Sequence, residues 1–176
     1  MKLLHLSRRF FRALWPGPPR RRDVEWVEDI LEPDELALWR SLPNHDRRYT
    51  IRVARLVDTS LAGTEHAGQS RWLAAALLHD VGKLDAGLGV FGRSVATVMG
   101  AVGGQTRVAR WEHARGFRRR VAWYLHHAER GADRIRATGG RDEAARWARV
   151  HHHRDLWPGS GVPVVVAEAL EAADNA

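Results

Sequence analysis

Three features of this 176-residue chain predict an all-α domain. Apolar residues recur at intervals of three and four from residue 23 to the end, the period of a helix with one buried face. The turn chemistry of β-hairpins is absent, and no segment repeats. The unbroken apolar run Trp72-Leu73-Ala74-Ala75-Ala76-Leu77-Leu78 reads as a helix buried on every side. The length suits one domain with a full hydrophobic core.

Residues 1–22 stand apart as a basic amphipathic tail with a proline-rich linker. Leu3, Leu6, Phe10 and Leu14 recur at helical spacing, with Arg8, Arg9 and Arg12 between them. Such a segment lies on an anionic membrane surface, docks on a protein partner, packs on its own domain, or is a disordered arm. The arginines interrupt any signal-peptide core, and no apolar stretch approaches the roughly 18 residues of a membrane span. A cytoplasmic protein, membrane-peripheral at most through this tail, is expected. Pro16-Gly17-Pro18-Pro19 then ends any helix.

The body, residues 23–176, divides by its punctuation. A first helix is predicted near 23–31. Pro33-Asp34-Glu35 opens a second, with proline and acids in the first turn, and Pro43 stops it. A third begins near Asn44 or Asp46 and carries Ile51, Ala54, Val57 and Leu61 on one face. The buried run is the fourth. Residues 85–92 are glycine-rich and read as a loop, 94–100 as a short helix, and Gly103-Gly104 as a break. Helical pattern returns from Arg107, more clearly over 118–127 and 132–138, and Gly139-Gly140 ends it. Asp142 is placed to cap a helix reaching His152. Residues 157–161 read as a loop. The segment 164–174 reads as a closing helix, although its Val164-Val165-Val166 start would suit a strand on propensity alone.

The formal charge of +7 is concentrated at one end. Seven of the 28 basic residues lie in 1–22 with no acid, leaving 21 of each sign in the body. The high isoelectric point therefore describes the tail, and DNA binding by the folded body is not expected. There is no cysteine, so disulfides and thiolate metal sites are excluded.

The chemistry lies in histidines and acids. The buried run ends in His79-Asp80, followed by Val81, Gly82 and Lys83. A core helix that finishes in an ionisable pair needs a reason, because buried unpaired charge is expensive. Either a metal cation lies between them, or the pair is a helix end with Gly82 as C-cap, Lys83 on the last carbonyls and Asp80 in a local salt bridge. His126-His127, His151-His152-His153 and Asp174 lie at or near other predicted helix ends, where side chains from different helices can converge. Successive helical residues diverge by about 100°, so at most two of the three adjacent histidines can face one ion. Mixed imidazole and carboxylate ligation suits divalent Mn, Fe, Co, Ni or Zn, as one ion or as two bridged by a carboxylate.

The stretch 46–174 resembles the HD superfamily of metal-dependent phosphohydrolases. The run Leu77-Leu78-His79-Asp80-Val81-Gly82-Lys83 is similar to its central motif, and His127 with Gly131 resembles its His-x-x-x-Gly element. His152-His153 followed by residues 157–163 resembles a decayed HD-GYP signature, and Asp174 falls where the family places its last metal-binding aspartate. Residues 85–92 are similar to a loop of small bacterial HD proteins. The resemblance implies an HD-domain helical bundle. It also implies a first ion on His79, Asp80 and Asp174 and a second on His127, His152 and His153, with Asp80 bridging. Lys83 would neutralise a substrate phosphate oxygen, and the reaction would be hydrolysis of a phosphate ester or anhydride, of a phosphorylated small molecule or a nucleotide.

One departure divides this reading. Where the family carries its first histidine, this chain has Tyr49, with His45 one helical turn earlier. Tyr49 or His45 would be the fourth ligand of the first ion, or water would replace it. The alternative is a catalytically silent domain that binds a nucleotide or a partner. The glutamate and Gly-Tyr-Pro of a cyclic-di-GMP phosphodiesterase are missing, so that activity is not expected.

Overall fold

The computed structural model describes residues 17–103, 108 and 110–176. Among them are ten α-helices, one 3-10 turn and no strand, so the chain is all-α. The amphipathic reading of the tail falls on residues 1–16, outside the described part, as does some of the helical pattern after Arg107.

Helices α1 (Arg21–Glu28) and α2 (Pro33–Arg40) lead into the long α3 (Asn44–Leu61). Pro33 occupies the first position of α2, and the Glu32 N–H donates to the Glu35 carboxylate at 3.1 Å, forming a capping box. Glu35 is fully buried, an unexpected place for a first-turn acid. Arg141, more than a hundred residues away, explains it by donating from both its backbone N–H and its guanidinium. That ion pair ties α2 to the entry of a later helix.

Helix α4 (Ser70–Leu78) is buried at every position from Trp72 to Leu78, as its composition predicts. It lies at the centre, packed by α3 on one side and by α9 (Asp142–Val150) on another. α8 (His127–Ala137) covers α9, and α10 (Val164–Asn175) closes over α3. A smaller second core forms between the short α5 (Lys83–Ala86), α6 (Val90–Gly103) and α7 (Phe117–Leu125) through Ala86, Leu88, Ala96 and Val121. Arg154–Gly159 is the 3-10 turn.

Several local expectations are corrected. α6 starts at Val90, inside the glycine-rich stretch read as a loop, because Gly92 packs against the Leu88 side chain and is accommodated within a helix. The helix predicted over 118–127 breaks at His126, and α8 begins at His127 rather than near residue 132. Arg141, not Asp142, sits at the N-cap of α9, with Asp142 in the first turn and no side-chain cap bond. The valines at the start of α10 are helical, since Pro163 precedes them and Val166 alone of the three is buried.

Gly82 is not the left-handed C-cap that one reading of the HD run required. Its φ is −64°, an ordinary helical value. Its role is space. A Cβ there would stand 2.0 Å from the His127 carbonyl oxygen and 2.6 Å from the Gly131 nitrogen, all backbone. A Cβ on Gly131 would in turn meet the Gly82 nitrogen at 3.1 Å. The two glycines let the turn after α4 press directly on the first turn of α8.

Candidate metal centre

That close crossing brings four helix ends together. His79 and Asp80 follow the last turn of α4, His127 opens α8, His151 and His152 follow the last turn of α9, and Asp174 lies in the last turn of α10. His79, Asp80, His127 and His151 are all buried.

Three imidazoles share one mode of support. His79 Nδ1 lies 2.9 Å from the Ala76 carbonyl oxygen, His127 Nδ1 2.7 Å from that of Tyr124, and His151 Nδ1 2.7 Å from that of Ala148. Each carbonyl is three residues back, so each Nδ1 donates to it and each Nε2 faces inward. A backbone carbonyl on one ring nitrogen is the usual outer support of a metal-bound histidine.

The inward atoms form a tight constellation. His79 Nε2 is 3.3 Å from Asp174 Oδ1 and 3.5 Å from Asp80 Oδ2. His127 Nε2 is 3.4 Å from Asp80 Oδ1 and 3.2 Å from His152 Nε2, and His151 Nε2 is 4.0 Å from Asp80 Oδ1. Ligands about 2.1 Å from one tetrahedral ion stand about 3.4 Å apart, so these separations suit shared coordination. His79 Nε2, His151 Nε2 and Asp80 Oδ1 are buried without a hydrogen-bond partner. A cation bound among them would satisfy all three. The ligand atoms of His127, His151 and His152 all lie within 4.8 Å of one another and could hold a metal ion.

Electrostatics fit the same picture. Burial works against a charged His79, yet the carboxylates of Asp80 and Asp174 outweigh it and lift its pKa to about 9. Without a metal, a proton on Nε2 is the cation between the two acids. Burial and the neighbouring imidazoles push His151 far below its ordinary value, and burial with His127 brings His152 to about 4. Both are neutral at pH 7, the state a metal ligand needs. Burial opposes ionisation of Asp80 and Asp174, but the adjacent His79 holds both carboxyls below the usual carboxylate range.

The remaining candidates are placed as follows. Tyr49 directs its hydroxyl at Asp174, donating to Oδ1 and, at 2.8 Å, toward the main-chain oxygen. It therefore stands against the acid rather than in place of an imidazole. His45 has its buried Nε2 3.3 Å from Asp46, whose carboxylate is clamped by Arg93 at 2.6 and 2.7 Å. Lys83 Nζ lies 2.5 Å from Asp80 Oδ2 and neutralises that carboxylate. His153, at the start of the 3-10 turn, is exposed as His152 is, but it is not one of the three clustered histidines. His151 takes its place. The sequence contained the signal: His151 continues the buried face of Trp147 and Ala148, four and three residues earlier.

A small cleft lined by Val53, His79, Trp147, His151, Leu170, Glu171 and Asp174 adjoins the cluster. No family model matches the chain, and neither a curated protein nor a solved structure matches it.

Proposed function

We propose that the chain is a metal-dependent phosphohydrolase of the HD type, hydrolysing a phosphate ester or anhydride of a small molecule or nucleotide. The observation that carries the reading is the Asp80 carboxylate. Its Oδ2 faces His79 and its Oδ1 faces His127, so one buried acid stands between two groups of inward lone pairs. His79, Asp80 and Asp174 would hold one divalent transition metal, and His127, His151 and His152 a second, with Asp80 bridging. Bound there, such ions supply Lewis acidity and a nucleophile at neutral pH.

The chain's own residues do the rest. The backbone carbonyls of Ala76, Tyr124 and Ala148 fix the imidazole tautomers. Lys83, now on Asp80, is a cation that a substrate phosphate oxygen could recruit once metal neutralises that acid. Metal analysis of the purified full chain tests the reading. Near-stoichiometric transition metal, with turnover of a phosphoester panel that chelation removes, is expected. A chain that takes up no metal on reconstitution refutes it.

Tyr49 favours a second reading, a nucleotide- or partner-binding domain without turnover. Its hydroxyl holds Asp174 where the resembled family has a further imidazole. Tyr49→His separates the two. A rise in metal content together with the appearance of activity marks a silenced enzyme, whereas an active wild type that loses activity marks Tyr49 as part of a working site.

A further inference from the structure

Helix α6 is apolar on the wrong side as well as the right one. Ala96 faces the second core, and Gly100 abuts the Leu125 side chain of α7. On the outer face Val95, Val98 and Val102 are 48, 63 and 81 % exposed, at intervals of three and four. From residue 94 to residue 102 the helix carries no charged side chain. Ser94 and Thr97 share the exposed side with their hydroxyls turned onto the helix's own carbonyls, so the valines dominate it. An apolar helix stripe is normally covered.

The surroundings of this stripe are basic. Residues 91–125 contain seven arginines and a single acid, Glu112, which lies 2.5 Å from His126. Arg93 is committed to Asp46. Arg110, Arg115, Arg118 and Arg119 are exposed, and so is Phe117 at 44 %. Arg120 donates to the main-chain oxygens of Ala86 and Gly87, just ahead of α6. The arginine-bearing start of α7 therefore lies beside the start of α6, and its end, at Leu125, beside Gly100. The body is neutral as a whole, but not here.

We infer that the α6–α7 face is a docking surface for an anionic lipid bilayer, with the valine stripe entering the interface and the arginines on headgroup phosphates. Charge complementarity selects the partner. The basic tail of residues 1–16 carries only positive charge and would meet the arginines as like against like. A second copy would present the same arginines. A nucleic acid would satisfy the arginines but gain little from aliphatic valines, whereas a bilayer satisfies both. Interfacial elements of this kind bury their apolar face about 5–10 Å deep and respond to salt and lipid charge.

Co-sedimentation of the full chain with vesicles of mixed phosphatidylglycerol and phosphatidylcholine, against phosphatidylcholine alone, tests this. Binding only to the anionic vesicles, weakened by salt, is expected. The triple variant Val95→Ser, Val98→Ser, Val102→Ser should reduce the partition coefficient about tenfold or more. Arg115→Gln with Arg118→Gln, two exposed positions outside α6, should do the same. Wild-type binding by both body variants overturns the inference. So does binding that falls only with Arg8→Gln, Arg9→Gln and Arg12→Gln in the tail, or a valine variant whose sole effect is to dissolve a dimer.

Discussion

Replacing Gly82 with alanine should break the contact on which the histidine cluster is built. The new methyl would stand 2.0 Å from the His127 carbonyl oxygen, and nothing nearer than 3.0 Å is tolerated, so α8 must retreat by at least 1 Å. The obstructing atoms are backbone, so no rotamer change relieves them. Overpacking of this kind costs roughly 1–3 kcal/mol, and the absence of a soft neighbour puts Gly82→Ala near the top, at about 3 kcal/mol. For a domain of this size that is a fall in Tm of about 6–12 °C. Because His127 lies on the displaced turn, metal uptake should fall more than tenfold. Gly131→Ala, whose methyl would meet the Gly82 nitrogen at 3.1 Å, should cost about 1 kcal/mol. Gly159→Ala, with open space around it, should change stability by less than about 0.5 kcal/mol. Thermal melts and metal analysis of the three variants check the order. If Gly82→Ala melts like Gly159→Ala and keeps its metal, the turn after α4 does not touch α8 and the histidine cluster is held together by something else.

His151→Ala should lower metal affinity at least tenfold while His153→Ala leaves it within about twofold, as read by titration with a competing chelator; the reverse order would restore His153 as the ligand. Metal must displace the proton that His79 holds up to a pKa of about 9, so affinity should rise with pH through neutrality. Calorimetry in buffers of different ionisation enthalpy should show proton release, and buffer-independent heats would contradict it. In the metal-free chain the same raised pKa stabilises fully below 6.5 and is lost as pH climbs through about 9. For Glu35, burial favours the neutral acid, but donors from Arg141 and Glu32 prevail and lower its pKa, so its contribution is present above 4.5 and lost as pH falls below that. Urea midpoints should therefore drop more steeply between pH 6 and pH 3 in the wild type than in Glu35→Gln. Thr50→Val removes the acceptor of the buried Trp39 indole N–H at 3.1 Å and should cost about 1–2 kcal/mol in urea denaturation.

Much of the architecture was legible because it is local. Pro33 and Pro43 punctuate α2, the spacing of Ile51, Ala54, Val57 and Leu61 gives the buried face of α3, and the all-apolar run of α4 admits one place only. What escaped depends on contacts distant in sequence. Gly92 reads as part of a loop, yet both it and Gly131 are helical, and Gly131 is required by a neighbour nearly fifty residues away. The burial of Glu35 makes sense only through Arg141. Within the site, the gathering of His79, Asp80, His127, His152 and Asp174 agrees with the expectation from their helix-end positions, while the choice between His151 and His153 turned on helical phase. Tyr49 could not be interpreted without seeing that its hydroxyl meets Asp174.

The three carbonyls that hold His79, His127 and His151 belong to the main chain. In many metalloproteins the corresponding support is a carboxylate, which one codon change can delete. Here no substitution at position 76, 124 or 148 removes the acceptor, short of one that disturbs the helix itself. The imidazole orientations are thus insured against drift at three neighbouring positions, and their weak point is the fraying of a helix end. Loss of metal and loss of those last turns should then be one event, visible as a single cooperative change in amide exchange.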